Sequence, residues 1–358
     1  MRVRRGTVAL ACAAAVLVVV LGTAARPHTP ALSAEESGDP GLLDRARPLL
    51  SEGVRDRVSV VEVDGGRVSF AHFGADDGTD YEIGSVTKGM TGMLLAEAIE
   101  RGEVTADTRL GELVELDGAP AADVTLAELT SHRSGLPRLS TRVSDVAVST
   151  VAVYLGNDPY PYDYDTLVAQ VAAAELSDRG ESHYSNMGTA ILGHALADAA
   201  GTDYATLLRE RLLDPLGMDD TTLPASGNDL SEDATRGYTD RGRVAGPWLA
   251  RAYAPTGGVR STPADMALFA GALLEGTAPG AAALEPRWDG GSDGRIGFAW
   301  ITQEHGGTEV TWHNGGTGGF ASMVALDREG GRAVLAFGNT TTGLEAPVLE
   351  LLTGEDAR

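Results

Sequence analysis

The chain has 358 residues, and 43% of them are apolar, so it holds enough material for a packed core in one large domain or two cooperating ones. Its formal net charge of −23 argues against nucleic-acid binding, because phosphate contacts need clustered lysine and arginine. The composition disfavours a disordered chain and a nucleic-acid partner, and surface acidity of this kind keeps an exported protein soluble.

The N-terminus carries an export pattern. Three arginines within the first five residues precede an uncharged, apolar-rich run from residue 6 to residue 25. Residues 1–25 are therefore predicted to be a signal peptide, or a membrane anchor if they stay uncleaved. We expect the protein to be exported, either secreted or extracytoplasmic, with membrane contact only through that segment. Cys12 lies in this run and is the only cysteine, so no disulfide is expected.

The next segments predict a linker and the start of a fold. Residues 26–40 are rich in proline, serine and glutamate, which is typical of a linker, and structure is expected to begin near Gly41. Residues 41–50 are predicted to be helical. Two runs that alternate apolar and polar residues, 57–63 and 68–73, flank an Asp-Gly-Gly turn and predict a β-hairpin.

The middle of the chain is predicted to be helical. After Ser85, apolar residues recur at helical spacing as far as Ala98, so Ser85 is placed at a helix start. Helical patches at residues 189–200 and 204–213 alternate with polar loops between about residues 103 and 250. This part of the sequence predicts a helical insertion.

The last hundred residues change character. Short apolar runs separated by glycine-rich turns predict antiparallel strands at residues 297–302, 309–312, 320–326 and 333–337, and residues 346–352 predict a final helix. An early strand pair, a helical block, several strands and a terminal helix together predict an α+β fold, with an antiparallel sheet flanked by helices and a helical subdomain beside it.

Lys88 stands out because it is the only lysine among 28 basic residues, the other 27 being arginine. Arginine is effectively never deprotonated, whereas a partly buried lysine can lose its proton and act as a base. Ser85 lies three residues earlier, so on a helix its hydroxyl can meet the amine. The alternative is that Ser85 is an ordinary helix cap and Lys88 a solvated residue of the first turn.

Two more motifs follow in order. Tyr184-Ser185-Asn186 precedes an apolar helical run, and His313-Asn314-Gly315-Gly316-Thr317-Gly318-Gly319 precedes a predicted strand. S-x-x-K, Y-x-N and a glycine-rich strand motif in this order resemble the serine β-lactamase and penicillin-binding-protein superfamily. The likeness is to class C β-lactamases and to the related D-alanyl-D-alanine peptidases and esterases. Residues 129–137 and 257–261 are similar to loops of the same group, and the resemblance covers roughly residues 50–352.

The resemblance implies a β-lactamase/transpeptidase-like fold, with residues 41–358 as the catalytic domain and about 103–250 as its helical insertion. It implies a serine hydrolase in which Ser85 attacks a carbonyl and forms an acyl-enzyme, while Lys88 or Tyr184 takes the serine proton. Nearby cations are expected to favour the tyrosine phenolate.

The resemblance also assigns substrate contacts. Asn186 would hydrogen-bond an amide of the substrate, and Gly315 would let the substrate approach the strand. The backbone N–H groups of Ser85 and Gly316 would form the oxyanion hole, where each donor is commonly worth a few kcal/mol.

Two departures bear on the substrate. His313 stands where β-lactamases and many penicillin-binding proteins have lysine, so a permanent positive charge is missing where a substrate carboxylate would bind. This favours a peptidase or esterase over an efficient β-lactamase. The class A pattern E-x-x-L-N is absent, so deacylation would have to use Tyr184 and Lys88.

Other chemistries are disfavoured. His132, His183 and His194 come without an H-E-x-x-H pattern or a cysteine pair, so neither a metal nor another cofactor is predicted. Ser85 does not have the G-x-S-x-G context of an α/β-hydrolase nucleophile. An aromatic cluster in a proline- and aspartate-rich stretch could form a substrate wall or a solvated loop; its members are Tyr154, Tyr160, Tyr162 and Tyr164.

The sequence thus predicts acyl transfer on an amide or ester. The first expectation is a D-alanyl-D-alanine carboxypeptidase-like activity, acting on a small molecule or a peptide such as a peptidoglycan stem peptide. A small-ester esterase and a weak β-lactamase are the alternatives within the same chemistry. The alternative from another class is a protein that binds cell-wall peptide or β-lactam without turnover.

Overall fold

The computed structural model describes residues 30–249 and 251–354. The predicted signal peptide or anchor, residues 1–25, lies outside the described residues. Within the two described ranges no helix combines the length and the apolar character needed to cross a bilayer.

A nine-stranded antiparallel sheet forms the centre of the molecule, with the strand order β1-β3-β2-β11-β10-β9-β8-β7-β6. Its strands are β1 (Glu36–Gly38), β2 (Val58–Asp64), β3 (Arg67–Phe73), β6 (Trp288–Asp289), β7 (Arg295–Ile296), β8 (Ile301–His305), β9 (Thr308–Gly316), β10 (Ala321–Asp327) and β11 (Arg332–Gly338). Two further strands, β4 (Tyr81–Glu82) and β5 (Arg260–Ser261), pair with each other. Because β2 pairs with β11, the beginning and the end of the fold meet in mid-sheet.

Helices lie on both faces of the sheet and fill the chain between β4 and β5. They are α1 (Pro40–Leu50), α2 (Val86–Glu100), α3 (Leu126–Thr130), α4 (Val143–Leu155), α5 (Tyr164–Ala172), α6 (Asn186–Ala200), α7 (Tyr204–Leu208), α8 (Asp214–Leu216), α9 (Ala254–Gly257), α10 (Pro263–Glu275) and α11 (Glu345–Thr353). Residues Arg209–Leu213 form a π turn, and single 3₁₀ turns span Leu110–Glu112, Pro120–Asp123, Gly227–Asp229, Arg251–Tyr253, Ala281–Leu284 and Gly291–Asp293.

Two hydrophobic cores sandwich the sheet, as the alternation of side chains along β11 shows. Leu335 and Phe337 contribute to a large core that also takes residues from α2, α6 and α10. Val334 and Ala336 point to the other face, where α1 and α11 cover a smaller core. Burial on both faces explains why this strand reads as a continuous apolar run. The predicted α+β fold, with an antiparallel sheet flanked by helices, is confirmed.

The linker prediction for residues 26–40 is wrong where the structure describes them. Glu36–Gly38 pairs with β3 at the edge of the sheet, and Asp39 caps α1 by accepting a hydrogen bond from Leu42 N at 3.0 Å. All three residues of β1 are exposed, so backbone pairing holds the strand and it carries no hydrophobic pattern.

The strand predicted over residues 297–302 begins only at Ile301. The chain turns first, because Gly297 N donates to Trp300 O at 2.8 Å and Ala299 has a φ of 66°. This turn buries the apolar residues around Trp300, which is fully buried. The apolar run therefore reflects burial in a turn as well as in a strand.

Candidate active site

Ser85 lies at the start of α2, after a tight turn at Gly84. Gly84 has a φ of 50°, and a Cβ there would lie 2.7 Å from Gly316 N, so glycine lets this turn approach β9. Ser85 itself has helical dihedrals and its side chain makes no capping hydrogen bond with the described helix. The interpretation of Ser85 as an ordinary helix cap is therefore wrong.

The Ser85 hydroxyl instead contacts two other side chains named by the motifs. Lys88 Nζ lies 3.0 Å from Ser85 Oγ, and the Tyr184 hydroxyl donates to Ser85 Oγ at 2.7 Å. Tyr184 comes from the loop that leads into α6, 99 residues further along the chain. The structure thus brings together all three residues that the sequence singled out for acyl transfer.

Lys88 is fully buried, which rules out a solvated residue of the first turn. Burial, and then the positive charge of Arg138, hold the pKa of Lys88 well below the usual lysine value. In the neutral form its two N–H groups can donate to Thr256 O at 2.7 Å and Thr256 Oγ1 at 3.2 Å. The amine lone pair is then left for the proton of Ser85.

Tyr184 is a protonated phenol at ordinary pH. Burial raises the pKa of Tyr184 to about 12, and the hydrogen bond with Ser85 and the charge of Arg138 oppose this only in part. The expectation that nearby cations favour the phenolate is wrong, because the loss of hydration outweighs them. The Tyr184 ring also lies 4.8 Å from Lys88 Nζ and 4.5 Å from the His132 ring.

Asn186 extends the site beyond the three central residues. Its Nδ2 donates to the Tyr160 hydroxyl at 3.0 Å, and its Oδ1 lies 3.5 Å from Thr256 Oγ1. One N–H of the Asn186 amide remains available for another acceptor. Tyr160 is itself buried and stacks on Tyr253 with ring centroids 4.8 Å apart, so at this position the solvated-loop interpretation is wrong.

The third motif lies on β9. His313 is buried, and its Nδ1 is 2.6 Å from Asn314 O, which assigns the ring hydrogen to Nδ1. Burial, with a smaller effect of Lys88, lowers the pKa of His313 to about 4. The imidazole is therefore neutral at ordinary pH, as expected when lysine is replaced here.

The structural reason for Gly315 differs from the expected one. A Cβ at Gly315 would lie 2.0 Å from Ile83 O and 2.3 Å from Ser322 Oγ, so this position faces the protein and not a substrate. Gly316 is different, because no described atom lies within 4 Å of a Cβ built there. Gly315 thus permits close packing of β9 on the turn before Ser85, and Gly316 faces open space.

The histidines considered as metal ligands have separate environments. His132 accepts a hydrogen bond at Nδ1 from Ser185 N at 3.3 Å, and burial lowers its pKa to about 3. His194 Nε2 lies 2.9 Å from Ala252 O, and His183 is exposed. Among the described residues no three His, Cys, Asp or Glu side chains converge on one point.

Sequence reasoning missed Thr256 and Arg138, and left Tyr160 undecided. Thr256 contacts Lys88, and it directly precedes the Gly257-Gly258 turn that the resemblance had marked. Arg138 directly follows the other marked loop, residues 129–137, and its Cζ lies 5.2 Å from the Tyr184 ring centroid. The sequence signal for Thr256 and Arg138 was that each directly adjoins a loop marked by the resemblance.

Comparison with known proteins agrees with this fold and geometry. The β-lactamase family profile matches residues 44–355, so the chain belongs to the β-lactamase family. It is a serine hydrolase of the β-lactamase and penicillin-binding-protein group, and the predicted resemblance is confirmed. The class C β-lactamase from Rhodobacter sphaeroides superposes with a TM-score of 0.73 at 20% identity, covering 86% of this chain and 96% of that one, which supports the fold.

Two relatives match different shares of the chain. A hydrolase of unguisins from Aspergillus campestris, ungD', is 26% identical over 354 residues, covering 86% of this chain and 63% of its own length. The D-alanyl-D-alanine-carboxypeptidase/endopeptidase AmpH of Escherichia coli K12 is 32% identical over 192 residues, covering 51% of this chain and 46% of its own length. The chain thus spans less than two thirds of either relative.

Proposed function

We propose that this hydrolase has D-alanyl-D-alanine carboxypeptidase-like activity and works through an acyl-enzyme on Ser85. The observation that carries the proposal is that Ser85 Oγ lies 3.0 Å from Lys88 Nζ and 2.7 Å from the Tyr184 hydroxyl. A nucleophile needs a group that takes its proton and a group that protonates the leaving amine. A neutral lysine and a protonated tyrosine at one hydroxyl supply both.

Acylation follows from these contacts. The neutral amine of Lys88 takes the proton of Ser85 as Oγ bonds to the carbonyl carbon of the penultimate D-alanine. Backbone N–H groups of Ser85 and Gly316 receive the developing oxyanion. As the C–N bond breaks, Tyr184 gives its proton to the leaving amine of the terminal D-alanine. The proton that Lys88 took from Ser85 then passes to the Tyr184 phenolate, so both residues regain their starting forms.

Hydrolysis of the acyl-enzyme uses the same residues in reverse. A water molecule takes the place of the departed amine beside Tyr184 and attacks the ester carbon. Its proton passes to the Lys88 and Tyr184 pair, and Ser85 Oγ leaves with a proton from Lys88. The free N–H of Asn186 holds the amide of the acyl group during both steps.

The peptide substrate is supported by the relative AmpH, whose name states a D-alanyl-D-alanine carboxypeptidase and endopeptidase activity. A specific observation favours a second candidate, a small-ester esterase. His313 is buried and neutral, so β9 offers no permanent charge to a substrate carboxylate. A neutral ester does not need that charge.

The test is continuous release of D-alanine from an N-acylated L-Lys-D-Ala-D-Ala peptide by the full-length protein. We expect release over many turnovers, abolition by Ser85→Ala, and full activity in the control Ser51→Ala, which removes an exposed hydroxyl at the end of α1. Intact-protein mass spectrometry should show an adduct that depends on Ser85 and decays as product accumulates.

Other outcomes separate the alternatives. Turnover of p-nitrophenyl acetate that needs Ser85, without release of D-alanine, would identify an esterase. Sustained, Ser85-dependent hydrolysis of a penicillin would identify a β-lactamase. One equivalent of product followed by a stable adduct would identify a binding protein without turnover. Product formation that survives Ser85→Ala would overturn the proposed nucleophile.

A further inference from the structure

The site contains a cation that neither the motifs nor the resemblance assigned. The third motif supplies none, because the imidazole of His313 is buried and neutral. Lys88 is buried and serves as the proton acceptor in the proposed mechanism. Arg260, the next arginine along the chain from Thr256, is already bound by two carboxylates, Asp80 and Glu82. Arg138 is different.

Arg138 is anchored to the start of α6. Its backbone carbonyl accepts hydrogen bonds from Asn186 N at 3.1 Å and Met187 N at 3.3 Å, which fixes its Cα beside the Y-x-N motif. Its guanidinium lies over the ring of Tyr184, with Cζ 5.2 Å from the centroid. That ring belongs to the same residue whose hydroxyl contacts Ser85, so one tyrosine separates Arg138 from the nucleophile.

The charge of Arg138 acts on the site, and no described carboxylate neutralises it. It adds to the lowering of the pKa values of Lys88 and His132 by burial. At Tyr160 and Tyr184 it opposes the rise in pKa that burial causes. The residue is exposed, and within the described ranges no carboxylate pairs with its guanidinium and no atom accepts a hydrogen bond from it. Five N–H donors are therefore available at the mouth of the site.

We propose that Arg138 binds a carboxylate on the acyl portion of the substrate, an inference that rests on the proposed acyl-enzyme function. The backbone of Arg138 is hydrogen-bonded to Asn186, the residue that holds the acyl-side amide in that function, so we infer that its guanidinium serves the acyl side. A planar guanidinium matches a carboxylate through two parallel hydrogen bonds. The substrate class is then an acyl donor whose acyl group carries a negative charge.

The test compares two p-nitrophenyl esters with the same leaving group. Mono-p-nitrophenyl glutarate has an acyl chain that ends in a carboxylate, and p-nitrophenyl pentanoate is its uncharged counterpart. We expect the wild-type protein to have the higher kcat/KM for glutarate. In Arg138→Gln the ratio of glutarate to pentanoate should fall roughly ten- to a hundred-fold, mainly through KM for glutarate, since a charge-assisted pair is lost. Arg138→Lys should restore part of the preference.

Arg142→Gln is the matched control, because it removes an exposed arginine four residues away that faces Asp145 at 3.9 Å. This variant should keep the wild-type ratio, which separates a specific contact from the general field of the surface. An equal loss for both esters in Arg138→Gln would show that Arg138 only supports Tyr184, and would overturn the inference. So would an unchanged ratio.

The same assay distinguishes failure of the proposed function from failure of the inference about Arg138. If neither ester is turned over in a Ser85-dependent way, the acyl-enzyme proposal and the inference fall together. If pentanoate is turned over through Ser85 but no preference for glutarate depends on Arg138, only the inference falls.

Discussion

At the scale of single residues, the site depends on protonation states that burial sets. Lys88 is kept neutral by burial and by Arg138, which is the condition for a proton acceptor. Tyr184 is kept protonated by burial, with a pKa of about 12, which is the condition for a proton donor. Burial thus gives Lys88 and Tyr184 opposite roles at the Ser85 hydroxyl. Lysine loses its proton and can accept one, whereas tyrosine keeps its proton and can donate it.

The pH dependence of acylation follows from the lowered pKa of Lys88. As pH falls through that pKa the amine becomes protonated, so kcat/KM should fall on the acid side and stay level on the alkaline side until Tyr184 ionises. His132 and His313 have pKa values of about 3 and about 4 and are neutral above about pH 5. Their titration therefore does not change kcat/KM above that pH. The measurement is kcat/KM for p-nitrophenyl pentanoate against pH.

Lys88→Arg is the companion variant, because arginine cannot be deprotonated. Acylation should fall about 10²–10⁴-fold at every pH, with unchanged circular dichroism. Substantial activity in Lys88→Arg would contradict the base role. An acid limb centred at the ordinary lysine value of 10.5 would contradict the neutral state of the amine.

The residues found from sequence and those missed differ in a physical way. Ser85 and Lys88 share a face of one helix, so their spacing alone predicts their contact. Thr256 and Arg138 reach the site from loops whose contacts are fixed by tertiary packing, and neither has a local pattern. Tyr160 reads as part of a polar loop, although stacking on Tyr253 buries it.

At the scale of elements, β9 and the turn before Ser85 depend on a close backbone approach. Ser322 Oγ on β10 donates to Ile83 O at 2.7 Å, across the position where Gly315 lacks a side chain. This contact holds the strand with the third motif against the start of α2. A side chain at Gly315 would push the two elements apart.

Gly315→Ala and Gly316→Ala form a matched pair for this contact. The first places a Cβ 2.0 Å from Ile83 O and should lower the free energy of unfolding by about 1–3 kcal/mol or more. The second meets no described atom within 4 Å and should change it by less than about 1 kcal/mol. Urea unfolding of both variants gives the comparison. Equal losses would show that the close approach at Gly315 does not matter for stability.

Element boundaries show where the sequence pattern is insufficient. The helices α2 and α6 and the strands β10 and β11 coincide closely with apolar stretches of the sequence, because each is buried against a core. Strand β1 has only exposed residues and is held by backbone hydrogen bonds, so no pattern predicts it. At the start of β8 burial continues through a turn, so the apolar run predicts a strand that begins too early.

At the scale of the whole molecule, Arg260 joins parts of the fold that are far apart in sequence. Its guanidinium donates to Asp80 at 2.7 Å, to Glu82 at 3.1 Å and to Thr235 O at 3.2 Å. Glu82 in turn accepts from Trp248 N at 2.9 Å. Arg260 and Glu82 are both 2% exposed, so a buried ion pair connects the strands β4 and β5 to the end of the helical insertion.

Arg260→Met should destabilise the whole fold, because it leaves the buried Glu82 carboxylate without its cation. Removing one partner of a buried pair typically costs about 3–5 kcal/mol. Burial already raises the pKa of Glu82 and Arg260 opposes it, so the variant should raise that pKa further. A folded-state pKa above the unfolded one means that stability falls as pH rises, and the loss should be greater at alkaline than at mildly acidic pH.

The double variant Arg260→Met/Glu82→Gln distinguishes this cause from simple loss of packing. With no carboxylate at position 82, the extra pH dependence should disappear and part of the lost stability should return. Urea unfolding of the wild type, the single and the double variant at two pH values provides the measurement. If the single variant lost the same free energy at both pH values, the uncompensated charge would not be the cause. The helical insertion would then be held to the strands by the remaining contacts, and the ion pair would serve only to satisfy its own buried groups.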